Sequence, residues 1–283
     1  MVGALSPLVI TLAARTSDRS LGGIRGAVAL APLVAGRLGI GTHTVGSASL
    51  PREVGWSDDL RDSRGPLLEA GGQLEDAFGR SQSPVLLAGD CSVALSTLPT
   101  LARVRPEARV LWIDAHGDFN TPESTSSGYL GGMCLAGACG IWDTGLGDAF
   151  RPERVVVAGA REFDPGEEQR MREAGVTVVG PSLREAATVD EALGNDPVFV
   201  HVDLDALDPP VMPARFPASG GFDPDDLREL LATVAGGREV VGFEVTGFEA
   251  PVDELKRMLY AETAVRVLEP LIDGLKRGAH VGN

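Results

Sequence analysis

Short apolar runs rich in Val and Leu recur along the chain, separated by stretches whose apolar residues have the spacing of an amphipathic helix. The predicted strands cover residues 8–13, 85–87, 110–114, 155–159, 176–180, 198–205 and 240–245. The predicted helices cover residues 65–78, 93–104, 166–174, 185–193, 224–234 and 252–276. Runs that are apolar on both faces are typical of parallel strands buried between two layers of helices. The alternation therefore predicts an α/β protein with three layers, α/β/α, and a mainly parallel sheet of about eight strands.

The alternation runs through the whole chain without a Ser/Gly-rich or Pro-rich linker, so we expect a single domain spanning residues 1–283. A content of 43% hydrophobic and 23% charged residues is typical of folded proteins and excludes a disordered chain. No basic residue precedes the first apolar run, which favours an opening strand over a signal peptide. No apolar stretch reaches the ~18–20 residues of a transmembrane helix, so none is expected.

The charge balance limits the classes of partner. A formal net charge of -15 repels phosphate backbones and anionic lipids, so nucleic acid and membrane surfaces are not expected as partners, and a small-molecule substrate is. The three cysteines, Cys91, Cys134 and Cys139, are too few and odd in number for a disulfide framework. Free thiols and a cytoplasmic location are therefore expected.

Polar side chains follow the ends of predicted strands, where functional groups gather in open parallel sheets. Asp114, His116 and Asp118 alternate after one strand, and Asp203 and Asp205 after another, so a period of two sends each set toward one side. Four carboxylates and an imidazole at one edge would repel each other unless cations neutralised them. Oxygen ligands with one imidazole favour Mn²⁺. The alternative is that these residues are polar loop ends or helix caps.

Three segments resemble the signature blocks of the ureohydrolases, the arginase and agmatinase superfamily. They are 89–92 (GDCS), 114–121 (DAHGDFNT) and 203–209 (DLDALDP). This resemblance implies an arginase-like fold and two Mn²⁺ ions per chain, whose bridging hydroxide attacks a guanidino or amidino carbon. It implies as metal ligands Asp114, His116, Asp118, Asp203 and Asp205, with Asp114 and Asp203 bridging the two ions.

The resemblance also bears on the substrate. Asn120 and Ser127 correspond to arginase residues that hold the α-carboxylate of the amino acid, and Asp164 and Glu167 to acidic residues that hold the α-amino group. Each residue alone could be a turn former. Together they favour an α-amino acid over agmatine, which lacks the carboxylate.

The chain departs from the family pattern at three places. Cys91 stands where the family has a metal-binding histidine. Either Cys91 is an unusual ligand, or that metal position is weak, or Cys91 is a small buried residue with no role. Gly131 stands where the family has a proton-shuttle histidine, and Tyr129 replaces an asparagine. The family's guanidinium-binding glutamate would fall at or near Gly247. If the strand extends that far, alternation places Glu249 on the same side and makes it the substitute.

Four histidines are available as a replacement proton carrier. His201 shares a strand face with Asp203 and Asp205, so it either transfers protons or orients a ligand carboxylate. His43, in a predicted strand, and His280, in the tail, are expected to be structural or exposed.

A cysteine ligand combined with an absent shuttle histidine most resembles the branch of the family that hydrolyses Nω-hydroxy-L-arginine to ornithine and hydroxyurea in D-cycloserine biosynthesis. The catalytic side chains are then Asp118, which passes a proton to the leaving amine, and His201. Placing His at position 131 is expected to raise the turnover of arginine relative to that of hydroxyarginine if the pocket has room. The alternatives are an ordinary arginase or agmatinase and a catalytically weakened binding protein on the same fold.

A monomer is expected, because little chain follows the last predicted helix.

Overall fold

The structure is a computed structural model that describes residues 6–280, with side chains to residue 277. Eight strands form one sheet: β1 Ser6–Leu12, β2 Thr42–Val45, β3 Gln82–Leu87, β4 Arg109–Ile113, β5 Val155–Ala158, β6 Thr177–Val179, β7 Val198–Asp203 and β8 Val240–Thr246. Within residues 6–280 the α-helices are α1 Gly22–Leu38, α2 Trp56–Gly79, α3 Ala94–Val104, α4 Cys134–Ala138, α5 Glu167–Ala174, α6 Ala186–Leu193, α7 Pro224–Gly237 and α8 Glu254–His280.

The strand order is β2-β1-β3-β8-β7-β4-β5-β6, and every strand pair in this sheet is parallel. Side chains from α1, α6, α7 and α8 form a buried apolar cluster on one face of the sheet. Side chains from α2, α3, α4 and α5 form a second cluster on the other face. The predicted three-layer α/β fold is confirmed, and burial on both faces explains why the strands are continuously apolar.

Helices α1 and α4 are missing from the sequence prediction, and α2 begins at Trp56, nine residues earlier than predicted. Glycine at the start of α1 lowers helix propensity. It also permits close contact, because a Cβ on Gly26 would lie 2.1 Å from the carbonyl oxygen of Phe248. In α2 the buried Asp59 accepts a hydrogen bond from Arg15, and this long-range ion pair leaves no local signal.

The exposed His43 lies on the edge strand β2, as expected. The side chain of His280 and residues 281–283 lie outside the described part of the chain. Between residues 6 and 280 no helix is long and apolar enough to cross a membrane.

The central strands β3, β8, β7 and β4 are neighbours in that order. Their carboxyl ends lead into four segments that meet above the sheet, which begin at Ala88, Gly247, Leu204 and Asp114. This edge is where open parallel α/β sheets place their functional groups.

Candidate active site

The acidic residues converge through short turns that follow β4 and β7. Strand β4 ends at Ile113, one residue before the predicted end, so strand geometry with a period of two does not extend through Asp114, His116 and Asp118. Instead, the backbone N–H of His116 donates to Asp114 Oδ1 at 2.7 Å, which folds the turn. Asp205 lies in a 3₁₀ turn, and its Oδ1 accepts a hydrogen bond from Ala115 N at 3.1 Å. The turns bring together side chains that the sequence pattern assigned to one edge.

His116 lies between two of these carboxylates. Its Nδ1 is 3.3 Å from Asp114 Oδ1 and 3.2 Å from Asp205 Oδ2. Burial alone would lower the pKa of His116, but hydrogen bonds to Asp114 and Asp205 outweigh it and raise that pKa to about 12. The three side chains form one group whose donor atoms are close enough to hold a single metal ion.

Cys91 stands at the opposite side of Asp114. It opens a 3₁₀ turn after β3, and its Sγ lies 2.8 Å from Asp203 Oδ2 and 3.8 Å from Asp114 Oδ2. Cys91, Asp114 and His201 form a second group with metal-binding spacing. Asp114 belongs to both groups, so it lies between two adjacent candidate metal positions.

The electrostatics of the cluster favour a bound cation. Burial raises the pKa of Asp203 to about 7, and the neighbouring Asp205 adds to the rise. Burial also raises the pKa values of Asp118 and Asp205, each with a further contribution from Asp114. Burial raises the pKa of the Cys91 thiol, as do Asp203 and Asp114. Because divalent cations reverse such shifts by stabilising the ionised forms, the donor set fits a metal centre.

Asp118 has a left-handed backbone conformation, with φ of 49°, that residues other than glycine rarely adopt. Its carbonyl oxygen accepts hydrogen bonds from Leu135 N at 3.0 Å and Ala136 N at 3.2 Å, which hold the turn against α4. Cys134 donates to Asp118 Oδ2 at 3.5 Å. Backbone conformations of this kind cost about 1–3 kcal/mol and cluster at functional sites.

A layer of buried side chains lies beneath the acidic cluster, two residues earlier along the strands. Trp112, His201 and Glu244 pair across β4, β7 and β8 in register, and the rings of Trp112 and His201 stack at 3.5 Å. Trp112 Nε1 donates to Asp114 Oδ2 at 3.2 Å. His201 Nδ1 lies 2.8 Å from Glu244 Oε1, and its Nε2 lies 3.3 Å from Cys91 Sγ.

His201 is fully buried behind Cys91, so it does not reach the cavity that a substrate would enter. Of the two roles that the sequence left open, this position favours orientation over proton transfer. The group that it contacts is the Cys91 thiol rather than a ligand carboxylate.

Two adjacent cavities that share lining residues lie above the sheet. We call the first, of about 60 Å³, the inner chamber; it is lined by Cys91, Asp114, His116, Asp118, Asp203 and Asp205, together with Asp90, Tyr129, Gly131 and Glu249. The second, of about 460 Å³, is the outer cleft, and it is lined by Asn120, Ser127, Asp164, Glu167, Tyr129 and Phe216. His116, Asp118 and Tyr129 border both, so they stand at the junction. A cleft of this size fits a small ligand.

Four of the five predicted substrate-binding residues, all except Glu249, line the outer cleft, where three of them are also hydrogen-bonded to one another. Asn120 Nδ2 donates to Asp164 Oδ2 at 2.9 Å, and Asn120 Oδ1 accepts from Arg170 Nη2 at 2.9 Å. The buried Glu167 accepts hydrogen bonds from the backbone N–H groups of Phe119 and Asp164, both at 2.8 Å. Glu167 therefore ties the two walls of the cleft together.

Glu249 reaches the inner chamber by a different route from the one predicted. Strand β8 ends at Thr246, and Gly247 has φ of 69°, so strand alternation does not carry through to Glu249. The glycine is required here, because a Cβ would lie 1.8 Å from Asp203 Oδ1. Ser20 Oγ donates to Glu249 Oε1 and orients its carboxylate at the chamber wall.

Tyr129 fills the space beside Gly131. A Cβ on Gly131 would lie 2.5 Å from Tyr129 Cε1 and 2.9 Å from its hydroxyl oxygen. While Tyr129 keeps this position, the pocket has no room for a histidine at position 131, so the condition attached to the expected gain in arginine turnover is not met. The phenol stands where that imidazole would stand.

The sequence patterns did not predict some of the side chains that line or support the site. Trp112 and Glu244 precede Asp114 and Thr246 by two residues, as His201 precedes Asp203, so the period of two that placed His201 could have found them. Other missed residues line the two cavities from long loops that carry no periodic signal. These are Asp18, Arg19, Ser20, Arg215 and Phe216.

The sequence matches known proteins over most of its length. Residues 50–271 match the model of the arginase family. The chain is 38% identical over 258 residues to the Nω-hydroxy-L-arginine amidinohydrolase of Streptomyces lavendulae, covering 91% of this chain and 93% of that protein. It is 31% identical over 204 residues to the arginase of Bacillus subtilis, covering 67% of this chain and 68% of that enzyme.

Solved structures agree in fold. The arginase of Bacillus cereus superposes with a TM-score of 0.82 at 25% identity, and the arginase of Bacillus caldovelox with 0.81 at 26%. Each alignment covers 95% of this chain and 98% of the other. The metal-binding spacing of the acidic cluster, the fold and these relatives lead to one conclusion: the chain belongs to the arginase family and is a hydrolase of amidino or guanidino groups.

Proposed function

We propose that this hydrolase cleaves Nω-hydroxy-L-arginine to L-ornithine and hydroxyurea, using two Mn²⁺ ions. The similarity to the Streptomyces lavendulae amidinohydrolase along 91% of the chain supports this substrate. The observation that carries the proposal is Tyr129 beside Gly131, which leaves His116, a proposed metal ligand, as the only histidine among the described residues that line the inner chamber.

Six residues would hold the metal ions: Cys91, Asp114, His116, Asp118, Asp203 and Asp205. Five oxygen- or nitrogen-bearing ligands and a single thiol favour manganese over zinc, although the sulfur makes one of the two positions softer. Bound divalent metal supplies a hydroxide nucleophile at neutral pH because it lowers the pKa of water. Asp114 lies between the two ligand groups and would bridge them.

The cavities suit a linear amino acid with a long side chain. The side chain would run from the outer cleft past Tyr129 into the inner chamber, with its amino-acid end near Asn120 and Ser127. Asp164 and Glu167 supply negative charge for the α-amino group. Glu249, held by Ser20, would meet the hydroxyguanidine.

The shortage of proton carriers favours the hydroxylated substrate. Among the described histidines, His116 contacts two carboxylates, His201 is buried behind Cys91, and His43 lies on the edge strand. An N-hydroxyguanidine is less basic than a guanidine, so more of it is neutral and less proton transfer is needed. Asp118 borders both cavities and would relay to the departing nitrogen of ornithine the proton that the attacking hydroxide gives up.

A substrate panel tests the proposal. With Mn²⁺ present, we expect kcat/KM for Nω-hydroxy-L-arginine to exceed that for arginine by about 10²-fold or more, since general acid–base help is worth ~10²–10⁴ in rate. Agmatine should be slower still, because it lacks the carboxylate. Ornithine, urea and hydroxyurea are quantified separately. An equal or higher kcat/KM for arginine would leave an ordinary arginase, and no turnover of any of the three would leave a binding protein.

The contact between His201 and Cys91 yields a prediction about metal affinity. Replacing His201 by Gln removes the ring between Glu244 and the Cys91 thiol, and the loss of such supporting groups weakens metal binding by about 10–100-fold. Titration calorimetry with Mn²⁺ measures the change. His43→Gln on the exposed edge strand is the matched control and should bind Mn²⁺ as the wild type does. Unchanged affinity in His201→Gln would exclude a role for His201 in metal binding.

Two predictions remain beyond the metal and substrate. Light scattering at micromolar concentration checks the predicted monomer, which a trimer or hexamer would contradict. A role in D-cycloserine biosynthesis stays a prediction from the resemblance alone.

A further inference from the structure

Tyr129 is fixed on three sides at the junction of the inner chamber and the outer cleft. Its hydroxyl donates a hydrogen bond to Asp90 Oδ2. Arg19 lies over its ring, with Cζ 5.2 Å from the centroid. Phe216 packs beside it with the two centroids 4.9 Å apart. These contacts leave the phenol little freedom to swing away from the chamber.

Asp90 determines how the hydroxyl of Tyr129 is used. The carboxylate of Asp90 is anchored through Oδ1, which accepts from Ser17 Oγ at 2.5 Å and from Ser92 N at 2.9 Å. Burial raises the pKa of Tyr129 well above 10, as does the adjacent Asp90, so the phenol keeps its proton. A tyrosine hydroxyl has one donor and two acceptor sites. Because Asp90 takes the donor, only acceptor sites remain for a ligand.

The two candidate substrates differ in how far their terminal hydrogen-bond donor reaches. The Nω-hydroxyl places its O–H donor one atom beyond the guanidine nitrogen, whereas the donors of arginine end at its NH₂ groups. The inner chamber holds only about 60 Å³, and the Tyr129 phenol stands beside Gly131 in its wall. A hydroxyl that enters the chamber would therefore meet an oriented oxygen that accepts its proton.

We propose that Tyr129 is a specificity-determining residue whose phenol oxygen accepts a hydrogen bond from the Nω-hydroxyl group of the substrate. This inference rests on the proposed function. A site built to hydrogen-bond a substrate hydroxyl discriminates strongly against the analogue that lacks it. Tyr129 thus has two effects: its ring excludes an imidazole from position 131, and its oxygen recognises the hydroxylated substrate.

Tyr129→Phe tests the proposal, because it keeps the ring and removes the oxygen. We expect kcat/KM for Nω-hydroxy-L-arginine to fall about 10–100-fold, since one lost hydrogen bond of this kind changes binding by about one to two powers of ten. The value for arginine should change less than about threefold. Metal content and the circular dichroism spectrum should be unchanged. Tyr260→Phe is the matched control, because Tyr260 is the second of the two tyrosines in the chain. It lies in α8, packs against the apolar cluster on that face of the sheet, and does not line either cavity.

Product binding gives a readout that does not depend on turnover. Manganese-loaded wild type should bind hydroxyurea more tightly than urea, and Tyr129→Phe should bring the two dissociation constants within about twofold of each other. Equal affinities of the wild-type protein for the two products would overturn the inference without any variant.

The outcomes separate the inference from the proposed function. If the wild type does not prefer Nω-hydroxy-L-arginine to arginine, the proposed function fails and the inference with it. If the wild type has this preference and Tyr129→Phe retains it, the inference fails while the proposed function stands. A parallel loss of activity on both substrates, accompanied by loss of metal, would show that Tyr129 has a structural role only and would also overturn the inference.

Discussion

Removal of divalent metal is expected to abolish hydrolysis and to lower the melting temperature of the protein. Loss of the nucleophile should reduce kcat/KM by at least about 10⁴-fold, since enzymes accelerate reactions by about 10⁶-fold or more. A metal present at about 1,000 times its dissociation constant stabilises the folded chain by about 4 kcal/mol. For a chain of this length that corresponds to about 8 °C. Scanning calorimetry with and without a chelator measures the shift, and readdition of Mn²⁺ should restore both properties.

A matched pair of variants tests whether the acidic cluster holds the metal. Asp203→Asn removes one carboxylate from the cluster and should lose metal, activity and the rise in melting temperature together. Its metal-free form should be as stable as metal-free wild type or more so, because the buried carboxylate that faces Asp205 is gone. Asp148→Asn changes the same charge on an exposed loop and should keep all three properties. Activity that survives complete metal removal would contradict the assignment.

The second large effect is expected from a double substitution that gives the chamber an imidazole. Tyr129→Asn removes the ring beside Gly131, and Gly131→His then places a proton carrier in the space that the ring leaves. General acid–base help of this kind is worth ~10²–10⁴ in rate, so kcat/KM for arginine should rise by about that factor over Tyr129→Asn alone. Initial rates of urea release measure it.

The single variants make this prediction specific. Gly131→His alone should not raise arginine turnover, because its Cβ would lie 2.5 Å from Tyr129 Cε1 and the two side chains compete for one space. Metal content must be equal among the variants, since Tyr129 is bonded to Asp90, the residue before Cys91. A double variant with full metal content and no gain on arginine would show that the missing imidazole does not limit arginine hydrolysis.

Much of the fold and the acidic half of the site were predictable from local sequence. The strands are apolar on both faces because helices cover both faces of the sheet, and this leaves a pattern that is visible without the structure. Asp114 and Asp203 follow directly from the ends of two such strands. Cys91 as a ligand candidate and the residues of the outer cleft depended on resemblance to a family, since no periodicity points to them.

Tertiary structure decided the features that depend on distant parts of the chain. Asp114, His116 and Asp118 line one chamber because a turn with a left-handed Asp118 brings them together, whereas the period of two in the sequence relied on strand geometry that ends at Ile113. Glu249 reaches the chamber through a left-handed turn at Gly247 rather than through strand alternation.

Side-chain packing across the sheet decided the rest. The sequence by itself determined which side chains stand at the carboxyl edge, because strand periodicity and chain direction are local properties. Only the folded chain could determine that His201 faces the Cys91 thiol and that Tyr129 occupies the space beside Gly131. His201 and Cys91 are 110 positions apart in the chain, and Tyr129 and Gly131 are two positions apart. Both contacts depend on the volumes of neighbouring side chains. Contacts set by side-chain shape and volume leave no periodic signal in the sequence, so only the tertiary structure determines them.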